Sequence, residues 1–262
     1  MNTIFALIEN HKQRLANHSF CQRLRNHRSS DKSIFFFVPH MSFFVLGFRD
    51  LLEYLRVPFP GNSAEFMLNE HCTEDSDHWL WFLQDLETLQ LNAQAWGGEN
   101  ISNKLELIWS PQNAAVRRQV YDIIVMISNC KNAQEKLVII ECLEAAFAAF
   151  IENLNVLTKR LGVYQKLVYF GEQHYNKESE HAMGSWLNTG ETKKTKTKSQ
   201  QAEELIRSSV MVQMVEDIFN GFDSMFSCWE KSLAPSGKVI PITQEVSRGT
   251  KGFAEDKLQH YK

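Results

Sequence analysis

Glycine and proline are scarce, at 12 and 6 of 262 residues. So few backbone breakers leave little room for the tight turns of a β-sandwich and favour helices. The five cysteines (Cys21, Cys72, Cys130, Cys142, Cys228) are scattered, odd in number, and form no CxxC pair. Neither a zinc ribbon nor a disulfide framework is indicated, and reduced thiols in a cytoplasmic protein are expected. Positive charge is not in surplus: 28 Lys and Arg stand against 31 Asp and Glu, a net charge of −3. That balance argues against a dedicated nucleic-acid binder. A long apolar run is also missing. The most apolar stretch, IFFFVPHMSFFVLGF from Ile34 to Phe48, is shorter than the roughly 20 residues of a membrane span. It is expected to be a buried core helix and its approach, with no membrane partner. The N-terminal MNTIFALIENHKQRL lacks the basic start and apolar core of a signal peptide.

Apolar residues make up 44% of the chain, enough for a core and too many for a mostly disordered chain. Their spacing at three and four residues predicts helices over about 1–28, Pro39 to Arg56, Ala64 to Leu91, 112–130, 132–160, Tyr164 to Trp186 and Ala202 to Lys231. Pro39 suits a first helical turn. Turns are expected at Pro58, Pro60 and Gly61, at WGGEN (Trp96 to Asn100), and at Gly162. The tract 188–201 reads as a polar loop and 235–262 as an irregular tail. The run Lys193, Lys194, Lys196, Lys198 is most simply a solvated face of that loop. The expectation is one all-α domain over 1–262, a bundle of about seven helices without strands or repeats.

Six of the nine histidines form three i,i+7 pairs: His11/His18, His71/His78 and His174/His181. Seven residues is nearly two turns, so each pair shares a helix face. In FGEQHYNKESEH, Glu178 lies on the stripe between His174 and His181. The rise between those histidines is about 10.5 Å, awkward for one ion but suited to two ions about 3.5–4 Å apart. Imidazole with carboxylate is a ligand set for iron, with manganese as the other option. In NEHCTEDSDHWLWFLQDLE, His71, Glu74 and His78 share a stripe, with Asp75 one step around as an alternate. In LVIIECLEAAFAAFIENL, Glu144 and, second, Glu141 interrupt an apolar run. A buried glutamate needs a partner such as a metal or a histidine; the bland alternative is an exposed stripe on an amphipathic helix. His11 and His18 lack a carboxylate on their stripe and are expected at the surface. Phe43, Phe44 and Trp79 are candidates to wall a substrate pocket, or else ordinary core aromatics.

HCTEDSDHW, EAAF and HYNKESEH, spaced along a helical chain of this length, resemble the haem-oxygenase-like superfamily, which includes TenA-type thiaminases, PqqC-type oxidases and di-metal oxidases. The resemblance covers about residues 10–230. It implies a haem-oxygenase-like fold. It also implies a di-iron site in which His174, Glu178 and His181 supply three ligands, Glu144 or Glu141 another, and His78 with a nearby carboxylate the rest. Members often carry a glutamate seven residues before the first-helix histidine, and this chain has His71 there. Glu74 or Asp75 takes over that role, or His71 ligates instead. The activity implied is that of an oxygen-activating non-haem oxidase or oxygenase using dioxygen on a small organic substrate. A homodimer is compatible with the family. The alternatives are a metal-free TenA-type thiamine-related hydrolase with a reactive cysteine, and a non-catalytic helical binding protein whose acid/His stripes are exposed or salt-bridged to one another.

Overall fold

The computed structural model describes residues 2–28, 32–91, 93–180 and 198–233, with side chains for 3–28, 32–91, 93–177 and 208–233. Among these residues the chain is all-helical: α1 (Asn2–Ala16), α2 (Ser19–Asn26), α3 (Val38–Leu55), α4 (Ser63–Glu74), α5 (His78–Leu89), α6 (Ile101–Trp109), α7 (Ala114–Asn129), α8 (Ala133–Arg160), α9 (Glu172–Glu180) and α10 (Lys198–Ser232). Short 3-10 turns at Lys32–Phe35 and Pro111–Asn113 lead into α3 and α7.

Local chemistry sets many of these ends. Asn62 accepts from the Glu65 amide, and Glu65 accepts from Gly61, closing the start of α4. Asn132 and Glu135 make the same reciprocal arrangement at α8, where Glu135 reaches back to the Lys131 amide. Such exchange satisfies amides that have no partner inside the helix. Pro39 stands in the first turn of α3, as expected.

α8 is the central element. It packs against α1, α2, α4, α7, α9 and α10, and nearly every residue from Leu137 to Leu157 is buried or half-buried. An axis enclosed in this way must be apolar nearly all round, and Glu141 and Glu144 stand out on it. α3 packs on α4, α5, α6 and α7. The stretch Lys32–Leu55 is long and apolar enough to cross a membrane by length and composition, exceeding the shorter run that the sequence suggested. Here 56% of its most apolar window is buried inside the protein, and Val38, Met41, Val45, Leu51, Leu52 and Leu55 join the core.

Several elements differ from expectation. The helix expected over about 1–28 breaks at Asn17 and His18, because the His18 ring accepts from the Phe20 amide and starts α2. The expected helix Ala64 to Leu91 is two helices, interrupted at Asp75-Ser76-Asp77. The helix expected from Tyr164 begins only at Glu172, since 164–171 form turns. α6 was not anticipated, and α10 begins at Lys198, inside the tract expected to be loop. Residues 181–197 and 234–262, with most of the lysine run and the tail, lie outside the described residues.

Candidate metal centre

The break between α4 and α5 builds the site. At the end of α4 the Asp75 amide still bonds the His71 carbonyl, and the His78 amide then bonds the Asp75 carbonyl. Asp75 is turned inward and is 2% exposed. One carboxylate oxygen lies 2.9 Å from His71 Nε2, and the other lies 3.7 Å from His78 Nδ1. From α8, Glu144 Oε1 comes within 3.3 Å of the same His71 Nε2. His71, Asp75 and Glu144 can each offer a donor atom within 4.8 Å of the others, so this buried group could hold a metal ion.

Burial by itself pushes the His71 imidazole down. The hydrogen bonds and charges of Asp75 and Glu144 outweigh it and carry the ring up to about 11. A proton therefore occupies the position between two carboxylates at neutral pH. The donor set, one imidazole and two carboxylates, offers nitrogen and oxygen atoms and no thiolate to an ion.

α9 adds His174, which is 3% exposed. Its ring centroid lies 4.4 Å from that of His78 and 4.4 Å from that of Phe147. Its Nδ1 donates to the Tyr169 carbonyl at 3.0 Å. A carbonyl can only accept, so the lone pair of the neutral ring lies on Nε2. Trp81 stacks on His78 at 4.3 Å. Lys177 lies over Trp81 and donates to the Glu74 carbonyl at 2.7 Å, tying α9 to the C-terminus of α4, where a cation is favoured.

The cluster lies at the wall of a narrow cavity that is partly open to solvent. Asp75, His78, Glu144 and His174 line it together with Phe44, Phe147, Phe150, Phe222 and Trp229, and no lysine or arginine is among the lining residues described. A mostly apolar cavity with a few convergent polar groups is the usual form of a small-molecule site.

Of the residues singled out in the sequence, His71, Asp75, His78, Glu144 and His174 face one another or this cavity. Glu74 is exposed, and its neighbour Asp75 points inward instead. Glu141 is buried, at 3% exposure, but is not in the donor group. The side chain of Glu178 and the whole of His181 lie outside the described residues. Phe44 and Trp79 line the cavity. Phe43 instead packs on Trp109 and Tyr121, because α3 turns that face toward α6 and α7. His11 was expected at the surface but is buried: it pairs with Glu216 at 3.1 Å and stacks on Phe219, since its partner carboxylate comes from α10. His18 caps α2, and His40 bonds Asn113 at 2.9 Å.

One residue escaped the sequence entirely. Asp85 is fully buried and accepts from the amides of Val168 at 2.7 Å and Phe170 at 2.8 Å. Burial raises its carboxyl to about 6, against the downward pull of the backbone amides and of His174. Its signal was present: an acid in the apolar WLWFLQDL, seven residues after His78.

Every cysteine thiol is raised, chiefly by burial: Cys21 and Cys72 to about 12, Cys130 to about 11, and Cys142 and Cys228 also upward. None has the lowered pKa of a cysteine nucleophile. Compared with known proteins, the chain matches no family model and has no significant match among curated proteins.

Proposed function

We propose that this chain is an oxygen-activating non-haem iron oxidase or oxygenase of the haem-oxygenase-like superfamily, binding two ions and acting on a small, largely apolar organic substrate. The observation that carries the proposal is the convergence of His71, Asp75 and Glu144 on one point, beside His78 and His174 and at the wall of an aromatic cavity. Bound there, iron supplies the one-electron chemistry that dioxygen needs to react with organic molecules. His71, Asp75 and Glu144 would hold one ion. His78 and His174 would offer donors to a second, and the sequence motif adds Glu178 and His181, whose side chains lie outside the described residues. Phe44, Phe147 and Phe150 exclude water and orient the substrate by contact. The aromatic lining favours a substrate with an apolar body.

A metal-free hydrolase is disfavoured by the raised thiols. A second reading is favoured by the mutual pairing of His71, Asp75 and Glu144: a buried ion-pair cluster in a binding protein that never takes a metal. Anaerobic ferrous titration of folded, metal-free protein separates them. About two irons per chain, reduced in Glu144→Gln, supports the oxidase. One iron per chain restricts the site to the His71 group. No binding establishes the ion-pair cluster.

A further inference from the structure

α5 carries two ionisable groups on one face, His78 at its first residue and Asp85 seven residues on. His78 meets the His174 ring directly. Asp85 reaches the same histidine by a different route. Its two carboxylate oxygens accept from the amides of Val168 and Phe170, at 2.7 and 2.8 Å. Tyr169 lies between those two residues, and its carbonyl accepts from His174 Nδ1 at 3.0 Å. The peptide whose carbonyl meets the imidazole gives its own N–H, that of Phe170, to Asp85, and the Val168 amide just before it anchors the turn on the same carboxylate.

A buried carboxylate is costly unless its bonds are made. Here those bonds go to a turn rather than to a cation, and the Tyr169 carbonyl of that turn accepts from the His174 ring. Histidines that bind metals generally donate their other ring N–H to a carbonyl or carboxylate, which selects the tautomer and orients the ring.

We propose that Asp85 is a positioning residue for the metal centre: acting through the Tyr169 carbonyl, it keeps His174 in its Nδ1–H form and leaves Nε2 as the donor atom. Asp85 touches neither substrate nor ion. The consequence for metal binding rests on the proposed function; the effect on the ring does not.

Long-range proton–nitrogen spectra of metal-free protein with 15N-labelled histidine read the tautomer directly, with the His174→Ala spectrum assigning the signal. Wild-type protein is expected to show a protonated Nδ1 and an unprotonated Nε2. Asp85→Asn can accept at one oxygen only and sets an NH2 against the second amide, so this pattern is expected to be lost. Cobalt(II) affinity should fall about 10- to 100-fold in Asp85→Asn, but less than about twofold when the same change is made in a His174→Ala background. A wild-type ring protonated at Nε2 overturns the proposal. So does an Asp85→Asn protein that keeps the tautomer and cobalt affinity and loses only melting temperature. If Asp85→Asn does not fold, Asp85→Glu, which keeps the charge at the wrong reach, is read in the same way. If cobalt binds neither form while the tautomer follows Asp85, the positioning role stands and the metal centre falls.

Discussion

Asp75 lies between two imidazoles, and the proton it shares with His71 and Glu144 has consequences for metal-free protein. The folded His71 pKa of about 11 stands above its ordinary 6.5. The folded state therefore holds this proton more tightly than the unfolded chain does. The resulting stabilisation is whole below about pH 6.5 and is lost as pH rises from there toward 11. Urea midpoints of metal-free protein are expected to fall across that window, and His71→Gln should flatten the fall. A midpoint constant from pH 6 to pH 9 would show that the proton is not held there. At this scale the sequence was informative about type but not about direction. His71, His78, Glu144 and His174 could be found because a polar group inside an apolar run needs a reason. Glu74 and Asp75 could not be told apart. They are adjacent at the end of α4, and it is Asp75, four residues after His71, that reaches its ring, while Glu74 is exposed. His11 was misjudged because its partner, Glu216, is about two hundred residues away along the chain.

The decisive elements are two interruptions. His71 and His78 stand on either side of the break at Asp75-Ser76-Asp77, and both reach the Asp75 carboxylate, at 2.9 and 3.7 Å. Periodicity alone does not show such a break, because the apolar positions on either side stay nearly in phase. The second interruption is the turn at 164–171. A Cβ added at Gly171 would collide with the carbonyl oxygens of Leu167 and Tyr164. These are backbone atoms, so a larger residue must displace the turn that carries the Tyr169 carbonyl. Gly171→Ala is therefore expected to cost about 1–3 kcal/mol, the range for overpacking a tight site, and to weaken metal binding as well. Thermal melts and cobalt titration of that variant check both effects. Gly221→Ala serves as a comparison, because its Cβ would collide with the buried side chain of Gln119, which is not in the donor group. It should lose stability while keeping metal affinity.

Across the whole molecule, the donors come from separate parts of the bundle. His71 stands in the last turn of α4, Asp75 opens the break, His78 begins α5, Glu144 lies midway along α8, and His174 stands on α9. α8 touches α4 and α9 directly, so it is the frame on which the others converge. The all-helical class could be read from the sequence because the chain has few breakers and strong three- and four-residue spacing. The convergence could not, because it depends on how helices distant in sequence pack. An ion held by this group would join α4 to α8, two segments separated by α5, α6 and α7 along the chain. Binding only the folded state, it would add about 2.7 kcal/mol at a free concentration a hundred times its dissociation constant. For a chain of this length, each kcal/mol is worth about 2–4 °C. Anaerobic addition of ferrous ion is therefore expected to raise the melting temperature of wild-type protein by roughly 5–10 °C. Each variant measured with and without iron should show little rise in Glu144→Gln and none in His71→Ala. An equal rise in all three proteins would place the ion elsewhere on the surface, and the buried triad would then be an ion-pair joint between α4 and α8.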